Sequence, residues 1–229
     1  MVSRFARIAL PLGAASLLFG LGIKTLGDLV SGNRLATVDA AILRTFAGMR
    51  TGWLNATAVD FTALGSGTLL AIATTAVFLM LVTTRDLYGA IHLALASIGA
   101  GVLTAFFKAF FARPRPDVVE RLVQVASFSY PSGHALGTAA CYFSFAMVAR
   151  RHLPRHISRE VLIGLTFLLI LLVGLSRVYL GVHYFSDVLA GLLIGIGWSL
   201  LLAGAFSLVE RARLRRSTAS IVASSALRE

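Results

Sequence analysis

Three short stretches hold most of this chain's chemistry-bearing side chains. The first is KAFFARPRP, which places Lys108, Arg113 and Arg115 within eight positions. The second is YPSGH, with Ser132, Gly133 and His134 in succession. The third is SRVYLGVHYFSD, with Arg177, His183 and Asp187. In the third, His183 and Asp187 are four residues apart, which puts them one turn apart on one helix face. A carboxylate so placed accepts the imidazole Nδ1–H and leaves Nε2 as a basic, nucleophilic lone pair. The same spacing also describes a plain helix-start ion pair. In the second stretch, Ser132 is a favoured N-cap residue. The unpaired N–H groups of a helix start also make an anion site, and Gly133 lets an oxyanion approach closely. His134 beside such an anion is suited to protonate a leaving oxygen. Lys108, Arg115 and Arg177 are the counter-charges, arginine offering a donor fork that fits phosphate oxygens. Each also has an interfacial reading, snorkelling toward anionic headgroups. That reading is preferred for Arg113 and Arg121, and the phosphate reading for Arg177.

Taken together, these groups describe a phosphoryl-transfer site. Such a reaction needs fixed donors around the equatorial oxygens, an in-line nucleophile and an acid for the leaving group. No carboxylate set suited to Mg²⁺ is evident: Asp117 and Glu120 lie close in sequence but do not make a two-metal site. No metal and no other cofactor is expected.

The elements that must carry these groups are membrane helices. Of 229 residues, 57% are hydrophobic and 14% charged, and the mean hydropathy is +0.83. Soluble domains carry about 25% charged residues. The expected fold is an all-α bundle of six transmembrane helices, about Phe5–Leu26, Phe61–Thr83, Leu87–Ala112, Ser132–Ala149, Val161–Leu180 and Tyr184–Leu208. The first is expected to stay as a span rather than leave as a signal peptide. Residues 1–209 are expected to form a single domain, and 210–229 a basic, flexible cytoplasmic tail. Between the first two spans, Val38, Ile42, Phe46 and Met49 share a helical face, with Thr37 as N-cap and Asp39 in the first turn. A short amphipathic helix on the membrane surface is expected there. The single cysteine, Cys141, excludes an intramolecular disulfide. His92 is read as a packed helix residue.

The net charge is +11, concentrated in loops and tails, which points to topology and anionic lipid rather than nucleic acid. With both termini cytoplasmic, twelve arginines lie inside and seven outside. The three clusters then share the outer face of the cytoplasmic membrane.

The three stretches, in this order and at these spacings, resemble the three-part signature of the type 2 phosphatidic acid phosphatase superfamily. The resemblance covers about Val102–Leu192, and the chain looks most like compact bacterial lipid phosphatases of that family. It implies His183 as a nucleophile that becomes phosphorylated and Asp187 as its orienting carboxylate. His134 is implied as acid and then base. Lys108, Arg115, Ser132, Gly133 and Arg177 are implied to hold the phosphate. The expected activity is metal-independent hydrolysis of a phosphate or diphosphate ester of a membrane lipid. Two alternatives stay open. A phosphotransferase would use the same residues. A lipid transporter is disfavoured because the polar groups gather at one interface rather than at the midplane.

Overall fold

The computed structural model describes residues 6–31, 33–154 and 158–226, and side chains within 13–25, 35–154 and 158–209. These residues form eight helices: α1 (Ala6–Ser31), α2 (Asn33–Gly48), α3 (Gly52–Ala63), α4 (Gly67–Thr83), α5 (Leu87–Phe111), α6 (Gly133–His152), α7 (Arg159–Tyr179) and α8 (Phe185–Ala226). No strand occurs among the described residues. Among them, α5, α7 and the Phe185–Val209 part of α8 are long and apolar enough to cross a membrane, and α3 with α4 forms a pair bent by 45°. α1 contributes a shorter apolar stretch, Gly13–Thr25.

Helix starts follow local capping chemistry. Ser66, Asp86, Ser132 and Ser158 each accept a backbone N–H three residues ahead. The cap at Ser66 divides the expected second span: Phe61 belongs to α3, and Leu64–Ser66 turns the chain into α4. Helix α5 stops at Ala112, whose φ is +42° and whose N–H returns to the Lys108 carbonyl. The Pro-containing stretch that follows cannot continue a helix. At its far end, α8 continues as helix to Ala226, well past Leu208.

At the centre, α6 and α8 pack through small residues, the device that lets helix backbones approach in a membrane. A Cβ on Gly191 would lie 2.7 Å from the Ser132 carbonyl oxygen, and one on Gly195 would lie 2.5 Å from that of Leu136. Helix α1 lies along the other side of α8, with Gly22 against Ile194 and Phe19 against Gly197. Trp198 of α8 fits over Gly99 of α5 and donates to the Leu95 carbonyl at 3.2 Å. Deeper in the bundle, His92 is buried, 3.1 Å from the Ser144 hydroxyl and tilted against Phe206.

Helix α2 differs from the expected surface helix. It starts at Asn33, so Thr37 lies inside it. Its buried face carries Asp39 and Leu43, while Val38 and Met49 are more than half exposed. Ile42 and Phe46 pack against the core formed by α6, α7 and α8. The apolar periodicity missed this rotation because a carboxylate, Asp39, faces inward among partners distant in sequence.

Candidate active site

Two loops form the floor of the site. One is the segment 112–132 between α5 and α6; the other is 180–184 between α7 and α8. Leu122 N–H donates to the Leu180 carbonyl at 3.0 Å, Ser129 N–H to that of Arg113 at 2.8 Å, and Ser132 N–H to that of Asp187 at 3.0 Å. These bonds bring Arg115, Ser129 and Ser132 against His183 and Asp187. Gly181 makes the crossing possible. Its φ is +74°, and a Cβ there would lie 2.7 Å from the Glu120 carbonyl oxygen, so both backbone shape and space require glycine. From the α2–α3 junction, Arg50 donates to the Tyr179 carbonyl at 3.0 Å and 3.4 Å.

His183 is fully enclosed, 1% exposed. Its Nδ1 lies 3.4 Å from Asp187 Oδ2 and its Nε2 lies 3.2 Å from Arg115 Nη1. A guanidinium has donors only, so Nε2 is the acceptor in that contact and the ring proton sits on Nδ1, facing the carboxylate. Burial lowers the imidazole pKa to about 4; Asp187 opposes the shift, and Arg115 and Arg177 add to it. The ring is therefore neutral near pH 7 with its lone pair on Nε2.

Three cations lie near the His183–Asp187 pair. Arg115 is 9% exposed and spreads its donors over the Ser127 carbonyl (2.6 Å), the Val182 carbonyl (2.6 Å), the Ser127 hydroxyl (3.1 Å) and the Phe128 carbonyl (3.3 Å). Lys108 Nζ also donates to the Phe128 carbonyl. Arg177 Nη1 donates to Thr62 Oγ1 at 2.7 Å, while its buried Nε has no partner among the described residues.

Ser132 caps α6, its hydroxyl accepting from Ala135 N–H at 3.5 Å. A Cβ on Gly133 would approach Thr104 to 3.0 Å and Lys108 Cε to 3.9 Å, so this helix start faces the lysine. His134 lies within electrostatic reach of Arg177, His183, Arg115 and Lys108. Lys108, Gly133 and His134 line the polar end of a groove of about 460 Å³ between α4, α5 and α6. Its other walls are small or apolar, among them Leu70, Ala100, Gly101 and Cys141. Among the described residues, no three His, Cys, Asp or Glu side chains gather as a metal site.

Four residues at this site were not assigned to it from the sequence. Ser129, fully buried, donates to Asp187 Oδ2 and lies 3.5 Å from His183 Nδ1. Arg113 does not snorkel: its side chain is 13% exposed and bridges Asp39 and Asp187. Asp39 and Ser186 complete that bridge. Ser129 stands three residues before Ser132, and Arg113 two before Arg115, so adjacency to the motifs was the only available signal. Asp39 had none. Arg121, in contrast, is exposed and donates to the Pro116 carbonyl at 2.8 Å.

Known proteins resemble this chain in sequence and in fold. The family model described as the PAP2 superfamily matches residues 89–210. The chain belongs to the PAP2 superfamily. Phosphatidylglycerophosphatase B of Bacillus subtilis is 30% identical over 184 residues, spanning 79% of this chain and 89% of that protein. Lipid A 1-phosphatase of Rhizobium johnstonii is 32% identical over 117 residues, covering 47% of this chain and 44% of its own length. Among solved structures, the transmembrane PAP2-type phosphatidylglycerolphosphate phosphatase from Bacillus subtilis superposes with a TM-score of 0.80 at 28% identity, covering 85% of this chain and 96% of that one. Aquifex aeolicus LpxE superposes with a TM-score of 0.57 at 29% identity, over 71% and 93% of the two chains. This PAP2 protein is a helical membrane enzyme, a phosphatase that hydrolyses phosphoric esters.

Proposed function

We propose that this phosphatase hydrolyses a phosphate or diphosphate ester of a membrane lipid by way of a phosphohistidine at His183. The observation that carries the mechanism is one buried imidazole with Asp187 on Nδ1 and the Arg115 guanidinium beside Nε2, where the phosphate oxygens would take over that guanidinium's donor. Nε2 attacks phosphorus, and the P–O bond to the lipid breaks as His134 gives its proton to the leaving oxygen. Water then attacks the phosphohistidine and His134 takes a proton from it, which releases phosphate and restores both rings. Lys108, Arg115, Arg177 and the N–H groups beside Ser132 and Gly133 hold the equatorial oxygens. The unpartnered Arg177 Nε suits an anionic acceptor. Asp187 keeps the ring in the productive tautomer.

The lipid reading rests on the groove, which joins the polar end at Lys108 and His134 to an apolar interior, and on the activities for which the relatives are named. Phosphatidylglycerol phosphate, undecaprenyl pyrophosphate, phosphatidic acid and a lipid A phosphate are the substrates to compare. In this reading α1, the α3–α4 pair, α5, α6, α7 and α8 provide six spans. Both termini are cytoplasmic and the site faces the outer side of the cytoplasmic membrane.

The test is phosphate release by purified protein in detergent with EDTA present, using those four lipids side by side. His183→Ala is expected to abolish turnover on every lipid. Wild-type release by this variant would remove His183 as nucleophile.

A further inference from the structure

The Asp187 carboxylate is held from both of its oxygens by different parts of the chain. Oδ2 accepts from Tyr184 N–H at 2.9 Å, from the Ser129 hydroxyl and from His183 Nδ1 at 3.4 Å. Oδ1 accepts from Arg113 Nη1. The contact of Asp187 with Tyr184 N–H is half of a capping box, in which the third residue of a helix reaches back to the residue before its start. The other half would be a short side-chain acceptor on that preceding residue, and tyrosine carries its oxygen too far from its own backbone to serve. The acceptor comes instead from 147 positions away. Asp39 of α2 accepts the Ser186 N–H at 3.0 Å and the Ser186 hydroxyl at 2.5 Å.

Asp39 also locates Arg113. The guanidinium donates from Nη2 to Asp39 Oδ2 at 3.1 Å and from Nη1 to the Ser186 hydroxyl at 2.9 Å, and it stacks 4.0 Å over the Tyr184 ring. Asp39 is 1% exposed and Asp187 fully buried. A buried carboxylate is costly unless paired and hydrogen-bonded, and Arg113 is the cation they share. The hydrophobic contacts of α2 would be served by an apolar residue at position 39, so the packing of that helix does not explain the aspartate.

We propose that Asp39 and Arg113 are a positioning pair, through which α2 sets the roll of the Asp187 carboxylate and thereby the aim of His183. Neither touches substrate. The inference rests on the reading of His183 as nucleophile. It adds that the chemistry depends on a helix lying wholly outside the three signature stretches. Without Arg113 on Oδ1, only the contacts to Oδ2 remain to set the roll of the carboxylate, and the alignment of Oδ2 on Nδ1 loosens.

The experiment compares Asp39→Asn, Arg113→Gln, Arg113→Lys and the double variant Asp39→Asn/Arg113→Gln with wild type and His183→Ala, using phosphate release and thermal melts in detergent. Asp39→Asn is expected to lower kcat about tenfold and leave KM unchanged, in the range typical of outer-shell partners. Arg113→Gln is expected to cost more, and Arg113→Lys to recover part of the loss. In the double variant the losses do not multiply, because Asp39 acts through Arg113 and the neutral pair removes the stranded carboxylate. That variant also keeps the test informative where Arg113→Gln alone fails to fold.

The pH profile separates positioning from general damage. Besides the pair, Arg115, Arg177, Lys108 and His134 act on the His183–Asp187 unit. Removing the Arg113 cation favours protonation of that unit, so the acid limb of kcat/KM moves up in pH. Removing the Asp39 anion leaves Arg113 less neutralised, so the limb moves down. Opposite shifts together with non-multiplying losses support the pair. Wild-type kcat in Asp39→Asn, or losses that multiply, would overturn it. Activity remaining in His183→Ala would instead remove the nucleophile reading.

Discussion

Ser129→Ala tests the site through a residue outside every expected contact. Its hydroxyl is fully buried and donates to the Asp187 oxygen that faces His183. The substitution deletes one donor to a charged acceptor and leaves a void the size of a single oxygen. A hydrogen bond to a charged group contributes about 1.5–3 kcal/mol. Asp187 Oδ2 retains Tyr184 N–H and the imidazole, so the helix start survives and the fold changes little. The loss falls on the orientation and charge of the carboxylate during attack. At about 1.4 kcal/mol per decade, kcat/KM should fall roughly 10- to 100-fold. Most of the fall should lie in kcat, because Ser129 is not among the proposed phosphate donors. The assay is steady-state phosphate release in detergent, with melting temperature as the control for folding. Activity within twofold of wild type at an unchanged melting temperature would refute the view that this bond aligns the dyad. A large drop in melting temperature with proportional loss of active protein would move Ser129 from positioning to packing.

Other expectations follow from the same geometry. His183 has an ordinary value of 6.5 and a folded value of about 4, so the unfolded chain takes up its proton first as pH falls. Stability should therefore decline from about pH 6.5 to about pH 4, and His183→Gln should flatten that part of a melting-temperature profile. Gly195→Val places a branched side chain where even a Cβ lies 2.5 Å from the Leu136 carbonyl oxygen. It should force α6 from α8, costing several degrees in melting temperature and separating Ser132 from Asp187. Gly101→Trp fills the groove between α4, α5 and α6 from a position where a Cβ would meet no other part of the protein within 4 Å beyond its own helix turn. It should raise KM for long-chain lipid phosphates more than for a short-chain analogue, read from KM against chain length.

Much of the site was legible because its chemistry is local in sequence. A His and an Asp four apart, a serine cap before Gly-His, and arginines beside prolines each declare a geometry through helix period and capping alone. The apolar runs likewise announced helices, since a membrane leaves no other way to satisfy the backbone of these segments. The capped break at Gly65-Ser66-Gly67 was less visible, because hydropathy hardly changes across it. What only the tertiary structure decided is who stands behind the candidate catalytic groups. Ser129 reaches Asp187 because segment 112–132 crosses segment 180–184 at Gly181. Arg113 leaves the interface because two buried carboxylates, 74 residues away on either side, together outweigh its solvation. Asp39 turns inward on an otherwise ordinary amphipathic helix to cap α8 at Ser186. Such choices depend on which charges meet after the helices pack. Periodicity reports a residue's neighbours along its own helix and is silent about partners on another.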